Sequence, residues 1–170
     1  VVPDIITTAE GLASGVPIAL ALDRAVRVSS HDDLSSAFRD FHVWSVLTGS
    51  RSTGRQFPFA NLLRAPEFAG SHVGLPVLSV QQTAAIAPLG AAQVRIDPDA
   101  GDGGLQVRFE GDFAARWEAD LLITTTAGET HRLPIALSPE GRGEIVVPLA
   151  RTSEALLLIR HLSGDDAAAH

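Results

Sequence analysis

The groups best suited to chemistry in this sequence are its carboxylates, histidines and serines, and the densest group is the acidic stretch from Asp97 to Gly103. Its carboxylates resemble those of a calcium-binding loop, because Ca²⁺ prefers oxygen ligands. The EF-hand spacing is broken, since Gly101 stands where an oxygen ligand is required. Asp and Gly are also common turn residues, so we interpret the stretch as a hairpin turn and assign no metal ligand there.

The histidines show neither the i, i+4 spacing of a zinc-binding helix nor a short cluster, and the chain has no cysteine to supply a thiolate. They are His31, His42, His72, His131, His161 and His170. We interpret His42 as a buried histidine bonded to a neighbour, and His131 and His161 as strand surface residues. No metal, cofactor or thiol chemistry is predicted from this pattern.

A serine nucleophile is not predicted, because Gly49–Ser52 and Ala69–His72 do not match the G-x-S-x-G turn. The glycines of 101–104 follow two acids and precede no helix, which disfavours a phosphate site. Trp44 and Trp117 lie at apolar-face positions and are expected in the core rather than at a sugar or partner surface. We assign no catalytic, cofactor-binding or metal-binding residue and predict that the chain is not an enzyme.

The composition favours a folded chain. Its 170 residues are 45% hydrophobic and 19% charged, enough for a small helical unit joined to a sandwich of about 100 residues. The net charge of -7 is scattered along the chain and disfavours nucleic acid as a partner. No apolar run approaches the ~20 residues that cross a bilayer, so we predict no transmembrane segment, while peripheral association with a membrane complex stays open. The start at Val1 rather than at a methionine favours a processed fragment.

The N-terminal third has the pattern of helices. The run Ile18–Val26 has helical composition and follows Pro17, which suits a first helical turn, so a short buried helix is expected. A second helix is predicted to start at Ser30–Asp33 and to end at Gly49, near residues 48–50. Its apolar face, predicted to be buried in this chain or against another, carries Leu34, Ala37, Phe38, Phe41, Trp44, Ser45 and Thr48.

Residues 51–76 are rich in glycine and proline, so only a turn of helix near Ala60–Leu63 is predicted there. Phe57, Phe59 and Phe68 are expected to pin this connector against the neighbouring domain. Beyond Pro76 the apolar period changes from about four to two, which is typical of strands. The predicted strands are 77–81, 92–97, 104–110, 116–125, 130–137, 143–149 and 155–162.

Seven short strands indicate a β-sandwich, and the turn residues between them predict consecutive antiparallel neighbours. Pro134 and Pro148 fall inside predicted strands and are expected at an edge or a bulge, because proline donates no hydrogen bond to a sheet. The predicted fold class is therefore α+β, a short N-terminal helical segment followed by a seven-stranded antiparallel sandwich of immunoglobulin-like type. The predicted domains are a helical segment at 1–52, a connector at 53–76, the sandwich at 77–163 and a flexible C-terminus at 164–170.

The second predicted helix carries a distinctive string of residues. Leu34, Ala37, Phe38, Phe41 and Trp44 form the pattern Leu-x-x-Ala-Phe-x-x-Phe-x-x-Trp, and Thr48–Arg51 follow as Thr-Gly-Ser-Arg. The stretch Asp33–Arg51 resembles secreted bacterial metallopeptidases of the HExxH type, in which such a helix lies downstream of the zinc helix and ahead of an all-β domain. The resemblance implies an extracytoplasmic location and makes residues 4–68 the end of a peptidase-like helical region. HExxH occurs nowhere in this chain, so no catalytic residue carries over.

The preferred functional hypothesis is a non-catalytic protein-interaction or scaffolding module, an accessory subunit of a larger periplasmic, secreted or envelope assembly in a bacterium. The alternative is the C-terminal fragment of a secreted zinc metallopeptidase whose catalytic part lies upstream. A third hypothesis, a calcium- or carbohydrate-binding sandwich, predicts a melting temperature that rises with calcium. If the face of Phe38, Phe41 and Trp44 is open to solvent, the hypothesis of a protein partner gains most.

Overall fold

The computed structural model describes residues 23–24, 26–28, 33–52, 54, 59–73, 85–98 and 103–162. The chain divides into two compact units. We call residues 1–66 with 164–170 the helical unit, and Glu67–Ser163 the strand unit. Of the first predicted helix, residues 23, 24 and 26 are helical and the helix continues to 28, while positions 18–22 lie outside the described residues.

The main helix of the helical unit is α1, Leu34–Val46. It begins at Asp33, whose side-chain Oδ1 accepts a hydrogen bond from the Ser36 amide at 2.7 Å. The pattern predicted a hydroxyl residue as the cap, with the acids in the first turn, and that assignment is wrong because Asp33 itself caps the helix. The helix ends at Val46, two residues before the predicted stop, and Gly49 takes a left-handed φ of 58° as the chain turns away.

Two single turns of 3-10 helix follow α1, namely η1, Gly49–Arg51, and η2, Ala60–Leu62. The turn of helix predicted near Ala60–Leu63 is confirmed by η2. The expected burial of Phe59 is wrong, because its ring is exposed at the start of η2, whereas Phe68 is half-buried and Phe57 lies outside the described residues.

The strand unit contains seven strands in its described residues. They are β1 Gly70–Val73, β2 Ala91–Asp97, β3 Gly104–Glu110, β4 Trp117–Thr125, β5 Thr130–Ile135, β6 Arg142–Pro148 and β7 Thr152–His161. Six of the predicted strands correspond to β2 through β7 within about three residues at each end. The strand predicted at 77–81 lies outside the described residues, and β1 arises within the predicted connector, which was expected to lack regular structure.

The strands form two sheets, so the fold is α+β as predicted. One sheet has the order β1-β2-β7-β4-β5, and the other contains β3 and β6. The expectation that consecutive strands are antiparallel neighbours holds for β4 and β5 and is wrong elsewhere. β1 runs parallel to β2, and β3 pairs with β6 across about 30 residues of chain. The turn residues set where each strand ends, but they do not determine which strand it pairs with.

The two sheets share one hydrophobic core. Alternate side chains of β4, including Leu121 and Ile123, pack with Leu105 and Val107 of β3 and with Val147 of β6. The side chains of β3 and β4 in this core come from alternate positions, as in strands that bury one face between two sheets. Pro134 lies in the edge strand β5 and Pro148 lies in the last position of β6, both exposed, as predicted for residues that cannot donate to a sheet.

The opposite face of the five-stranded sheet is buried as well. Leu122, Leu156 and Leu158 lie on it and are at most 2% exposed, although none belongs to the core between the sheets. A strand buried on both faces reads as a continuous apolar run, and β7 reads Ala-Leu-Leu-Leu-Ile from Ala155. The central strands of the five-stranded sheet therefore carry buried side chains on both faces.

Candidate interaction surface

The start of α1 is held by two carboxylates. Asp33 accepts from the Ser36 amide, and Asp23 Oδ1 accepts from the Leu34 amide at 2.9 Å. Arg27 donates from Nε to Asp23 Oδ2 at 2.8 Å. The Arg27 hydrogen bond, followed by that of the Leu34 amide, lowers the pKa of Asp23 below its ordinary value. The Ser36 amide likewise lowers the pKa of Asp33, so both carboxylates are ionised at neutral pH and fix the direction in which α1 leaves.

The buried stripe of α1 differs from the predicted one. His42, Val43 and Val46 are the buried residues of the helix, whereas Phe41 is 63% and Trp44 is 42% exposed. At about 100° per residue, Phe41 and Trp44 centre on the side opposite the buried stripe. The prediction that these two aromatic residues are buried within this chain, with Trp44 in the core, is therefore wrong, while their burial against another chain stays a prediction. His42 is buried, as predicted.

A small open cavity lies beside the exposed aromatic rings. Its volume is about 290 Å³, and it is lined by Phe41, Ser45, Thr48, Leu63, Arg64 and Pro66. The Ser45 hydroxyl donates to the His42 carbonyl and the Thr48 hydroxyl donates to the Ser45 carbonyl, so both hydroxyl protons are used within the helix. The other lining residues are apolar except for Arg64. Such a cavity suits an apolar side chain better than a polar metabolite.

The turn after α1 brings the second wall of this cavity into place. A Cβ added at Gly49 would lie 3.3 Å from the Leu63 carbonyl oxygen, which shows how closely the segment around η2 approaches the helix end. The same segment exposes Phe59 and Leu62, and Phe59 has a left-handed φ of 63° that bulky residues seldom adopt. We call Phe41, Trp44, Phe59, Leu62 and Leu63 the exposed apolar residues of the helical unit.

A charged network lies on the second buried face of the strand unit. Arg160 of β7 forms an ion pair with Asp120 of β4, and each residue is 1% exposed. Glu118 lies 3.5 Å from Arg160, and Arg132 of β5 lies 3.0 Å from Asp120. Two carboxylates thus face two guanidinium groups and compensate one another's charge. This network stabilises a structural arrangement and offers no nucleophile or free base.

An aromatic stack closes one end of the strand unit. Trp117 stacks on His161 with a centroid distance of 4.6 Å and meets Phe109 edge-on at 5.8 Å. His161 Nδ1 lies 2.8 Å from the Ile86 carbonyl oxygen, which only accepts, so Nδ1 donates the proton. His161 is half-buried, so its prediction as a surface residue is wrong, whereas His131 is exposed as predicted.

No metal-ligand cluster occurs in the described part of the chain. No three His, Asp or Glu side chains there are grouped so that they could hold an ion. His42, His131 and His161 lie on three different elements, α1, β5 and β7. Positions 99–102 of the acidic loop lie outside the described residues. Among the helices that are described, none is long and apolar enough to cross a membrane.

The chain has no detected relative whose function could be transferred to it. Comparisons with protein-family models, with curated proteins and with solved structures each find no match. The features of the described structure that bear on function are therefore the exposed apolar residues of the helical unit and the cavity beside them. Phe41 and Trp44 were predicted as part of the apolar face of α1, but within this chain they are exposed.

Proposed function

We propose that this chain is a non-catalytic protein-interaction module, an accessory subunit of a larger extracytoplasmic or envelope assembly. The observation that carries the proposal is the exposure of Phe41 and Trp44 beside an apolar cavity, on the side of α1 that faces away from its own core. Single exposed apolar residues are ordinary, but several around one cavity are typical of an interface. Aromatic side chains also dominate the binding energy of most interfaces.

The strand unit supports this role as a scaffold. In the proposal its two sheets form an immunoglobulin-like sandwich, because the inward side chains of β3 and β6 pack on those of β4. The two buried charged residues described in this unit, Asp120 and Arg160, form an ion pair with each other. A rigid body that holds no reactive constellation in its described residues is suited to presenting a surface to a partner.

The proposal is tested in the cells that make the protein. The chain carrying both Phe41→Ser and Trp44→Ser is compared with the wild type by in-cell cross-linking followed by size fractionation. The wild type is expected to migrate with a larger complex, and the double variant is expected to migrate as the lone chain. Val146→Ser is the matched control, because Val146 is equally exposed but lies in the strand unit. Unchanged migration of the double variant would overturn the proposal.

The second candidate function is the C-terminal part of a secreted zinc metallopeptidase. One observation favours it. Phe41 and Trp44 belong to the string that carries the family resemblance, and both are exposed on α1. In such a parent protein they would pack against an upstream catalytic domain. Sequencing the intact gene decides between the candidates. An HExxH helix encoded upstream supports the peptidase origin, and a signal peptide directly before Val1 removes it.

A further inference from the structure

One edge of strand β3 pairs with no other strand in the described part of the chain. The two-stranded sheet contains β3 and β6, and β6 occupies one side of β3. We call the other side the open edge of β3. An open strand edge presents unpaired backbone N–H and C=O groups, which form a template for a further strand. Any strand that binds there must match the positions of these groups.

Alternate residues of β3 direct their backbone groups to the open edge. The Leu149 amide donates to the Gly103 carbonyl, and the Gly111 amide donates to the Gly141 carbonyl, each at 2.9 Å. These bonds lie at the two ends of the ladder, so the odd-numbered residues of β3 exchange hydrogen bonds with β6 and the even-numbered ones face away from it. The outward N–H and C=O groups belong to Gly104, Gln106, Arg108 and Glu110.

The other outer strands are less open to such pairing. Pro134 in β5 and Pro148 in β6 each remove a backbone donor. The Arg142 carbonyl of β6 also accepts a hydrogen bond from the Ser138 amide at 2.8 Å. β1 has only four residues, whereas β3 has seven and contains no proline. Among the described strands, β3 therefore has the edge best suited to a partner strand.

Two opposite charges lie on the solvent face of β3. Arg108 and Glu110 are two residues apart, so their side chains point to the same face, where they are 73% and 65% exposed. Each has a partner on β6, because Arg108 donates from Nε and Nη2 to Glu144, and Arg142 donates to Glu110 Oε1. These bonds do not use Arg108 Nη1 or Glu110 Oε2, so both side chains can also interact with a strand at the open edge.

An antiparallel copy of β3 matches these charges in one register. When Phe109 of both copies lies at a twofold axis, Arg108 of each copy faces Glu110 of the other. Both residues direct their backbone groups outward, so they also exchange hydrogen bonds across the axis. A register centred on Arg108 would bring two guanidinium groups together. A register centred on Val107 would place both charges opposite uncharged residues, so the register centred on Phe109 is favoured.

The loop between β3 and β4, which carries Phe113, ends the shared ladder. The Asp112 carbonyl accepts from the Ala115 amide at 3.1 Å and from the Trp117 indole at 2.9 Å. Asp112 Oδ1 accepts from the Ala114 amide at 2.9 Å. These hydrogen bonds hold the loop to its own chain, so pairing with a second copy stops before Asp112.

We propose that two copies of this chain associate through the open edge of β3, as an antiparallel pair about a twofold axis at Phe109. Their two-stranded sheets then form one four-stranded sheet in the order β6-β3-β3-β6. This contact is built from residues of the strand unit alone and goes beyond the proposed function, which concerns the exposed apolar residues of the helical unit. The shared ladder is short, so we expect a dissociation constant on the order of 100 µM.

The test is sedimentation velocity of the purified full chain from micromolar to millimolar concentration at low ionic strength. The wild type is expected to change from monomer to dimer over this range. Arg108→Pro removes an outward N–H but no bond to β6, and it is expected to raise the dissociation constant at least about tenfold. Val146→Pro is the matched control, because the Val146 amide of β6 points away from β3, and it is expected to dimerise like the wild type. Circular dichroism establishes that every variant is folded.

Charge reversal tests the register. Arg108→Glu and Glu110→Arg each bring like charges together across the axis, and each is expected to raise the dissociation constant at least about tenfold. A one-to-one mixture of the two variants restores both opposite pairs in a mixed dimer and keeps the total charge of two wild-type chains. The mixture is therefore expected to associate like the wild type.

Four results would each overturn the inference. They are a wild type that stays monomeric at millimolar concentration, an Arg108→Pro variant that dimerises normally, charge-reversed variants that each dimerise normally alone, and a mixture of those variants that stays monomeric. At concentrations well below the dissociation constant the chain is a monomer, so the in-cell test of Phe41 and Trp44 is unaffected and the two proposals fail separately.

Discussion

The two units of this protein place their hydrophobic side chains differently. Among the described residues, the strand unit holds thirteen of the seventeen buried hydrophobic residues. The helical unit holds six of the nine large hydrophobic residues that are exposed, including Phe41 and Trp44. The apolar content of a segment therefore does not predict how much of it is buried. Burial depends more on how many faces of the helix or strand pack against other elements.

The difference has a physical origin in the elements themselves. β7 is paired on both sides, by β2 and β4, and both of its faces are buried, so every position from Ala155 to Leu158 requires an apolar side chain. α1 is a single helix with three buried residues, His42, Val43 and Val46, all in its C-terminal half. Phe41 and Trp44, on its other sides, have no place in its own core and stay exposed.

The strongest test of this comparison is Asp120→Asn in the strand unit. The substitution removes the carboxylate that faces Arg160 on the second buried face and leaves the guanidinium poorly compensated. Removing one partner of a buried ion pair typically costs about 3–5 kcal/mol of the free energy of unfolding. We expect a loss in that range, measured by urea denaturation followed by circular dichroism.

Glu144→Gln is the matched control for this substitution, because Glu144 forms an exposed ion pair with Arg108. We expect little change in its urea midpoint. The double variant Asp120→Leu with Arg160→Leu is expected to recover most of the loss, since apolar side chains suit a buried face. A loss below about 1 kcal/mol for Asp120→Asn would indicate that water reaches the second face and that the sheet is buried on one side only.

A smaller effect is expected for Gly111→Ala at the aromatic end of the strand unit. A Cβ at Gly111 would lie 2.5 Å from the Trp117 indole, so the indole must move away from its stack on His161. Overpacking of this kind costs about 1–3 kcal/mol. The urea midpoint is expected to fall, and in a Trp44→Phe background the fluorescence of Trp117 is expected to shift as its contacts change.

Gly103→Ala is the control glycine, because nothing lies within 4 Å of the Cβ that it would add. Its urea midpoint is expected to stay close to that of the wild type. If the urea midpoint of Gly111→Ala is also unchanged, the Trp117 indole moves freely, and the loop that carries Phe113 is less rigid than its hydrogen bonds indicate.

The strand boundaries could be predicted, but the strand partners could not. β3 lies at 104–110 as predicted, because Leu105 and Val107 alternate with polar neighbours and glycines precede them. Its partner is β6, and that pairing depends on contacts between distant residues that a period of two does not encode. β1 has only four residues beside glycines, too short a pattern to be recognised.

The candidate site shows a similar division. Phe41 and Trp44 stand out in the sequence as large aromatic residues of a predicted helix. Apolar residues occur on most sides of α1, however, so the sequence pattern did not determine which side of the helix is buried. The buried pair of Asp120 and Arg160 joins residues separated by 40 positions. Predicting that pair requires the order of β4 and β7 in the sheet, which the sequence pattern does not provide.

The smallest expected effect is a pH dependence that distinguishes the two units, because two carboxylates hold the start of α1 in the helical unit. Asp33 and Asp23 have pKa values lowered below 3.8 in the folded chain, so their ionised forms stabilise the start of α1 above that ordinary value. This stabilisation is lost as the pH falls below about 4 and the carboxylates become protonated. The protection factors of the α1 amides, which are exchange rates corrected for the intrinsic effect of pH, are therefore expected to fall on acidification before those of the β4 and β7 amides in the strand unit.

Asp33→Asn distinguishes this cause from general acid unfolding. Asparagine also accepts a hydrogen bond at the first position of a helix, but it does not titrate in this range. The variant is expected to keep α1 at neutral pH, and the protection factors of its α1 amides are expected to depend less on acid than those of the wild type. If the protection factors of both units fall together and Asp33→Asn changes nothing, acid acts on the chain as a whole. The contrast between a sheet stabilised by apolar burial and a helix directed by two carboxylates would then be wrong.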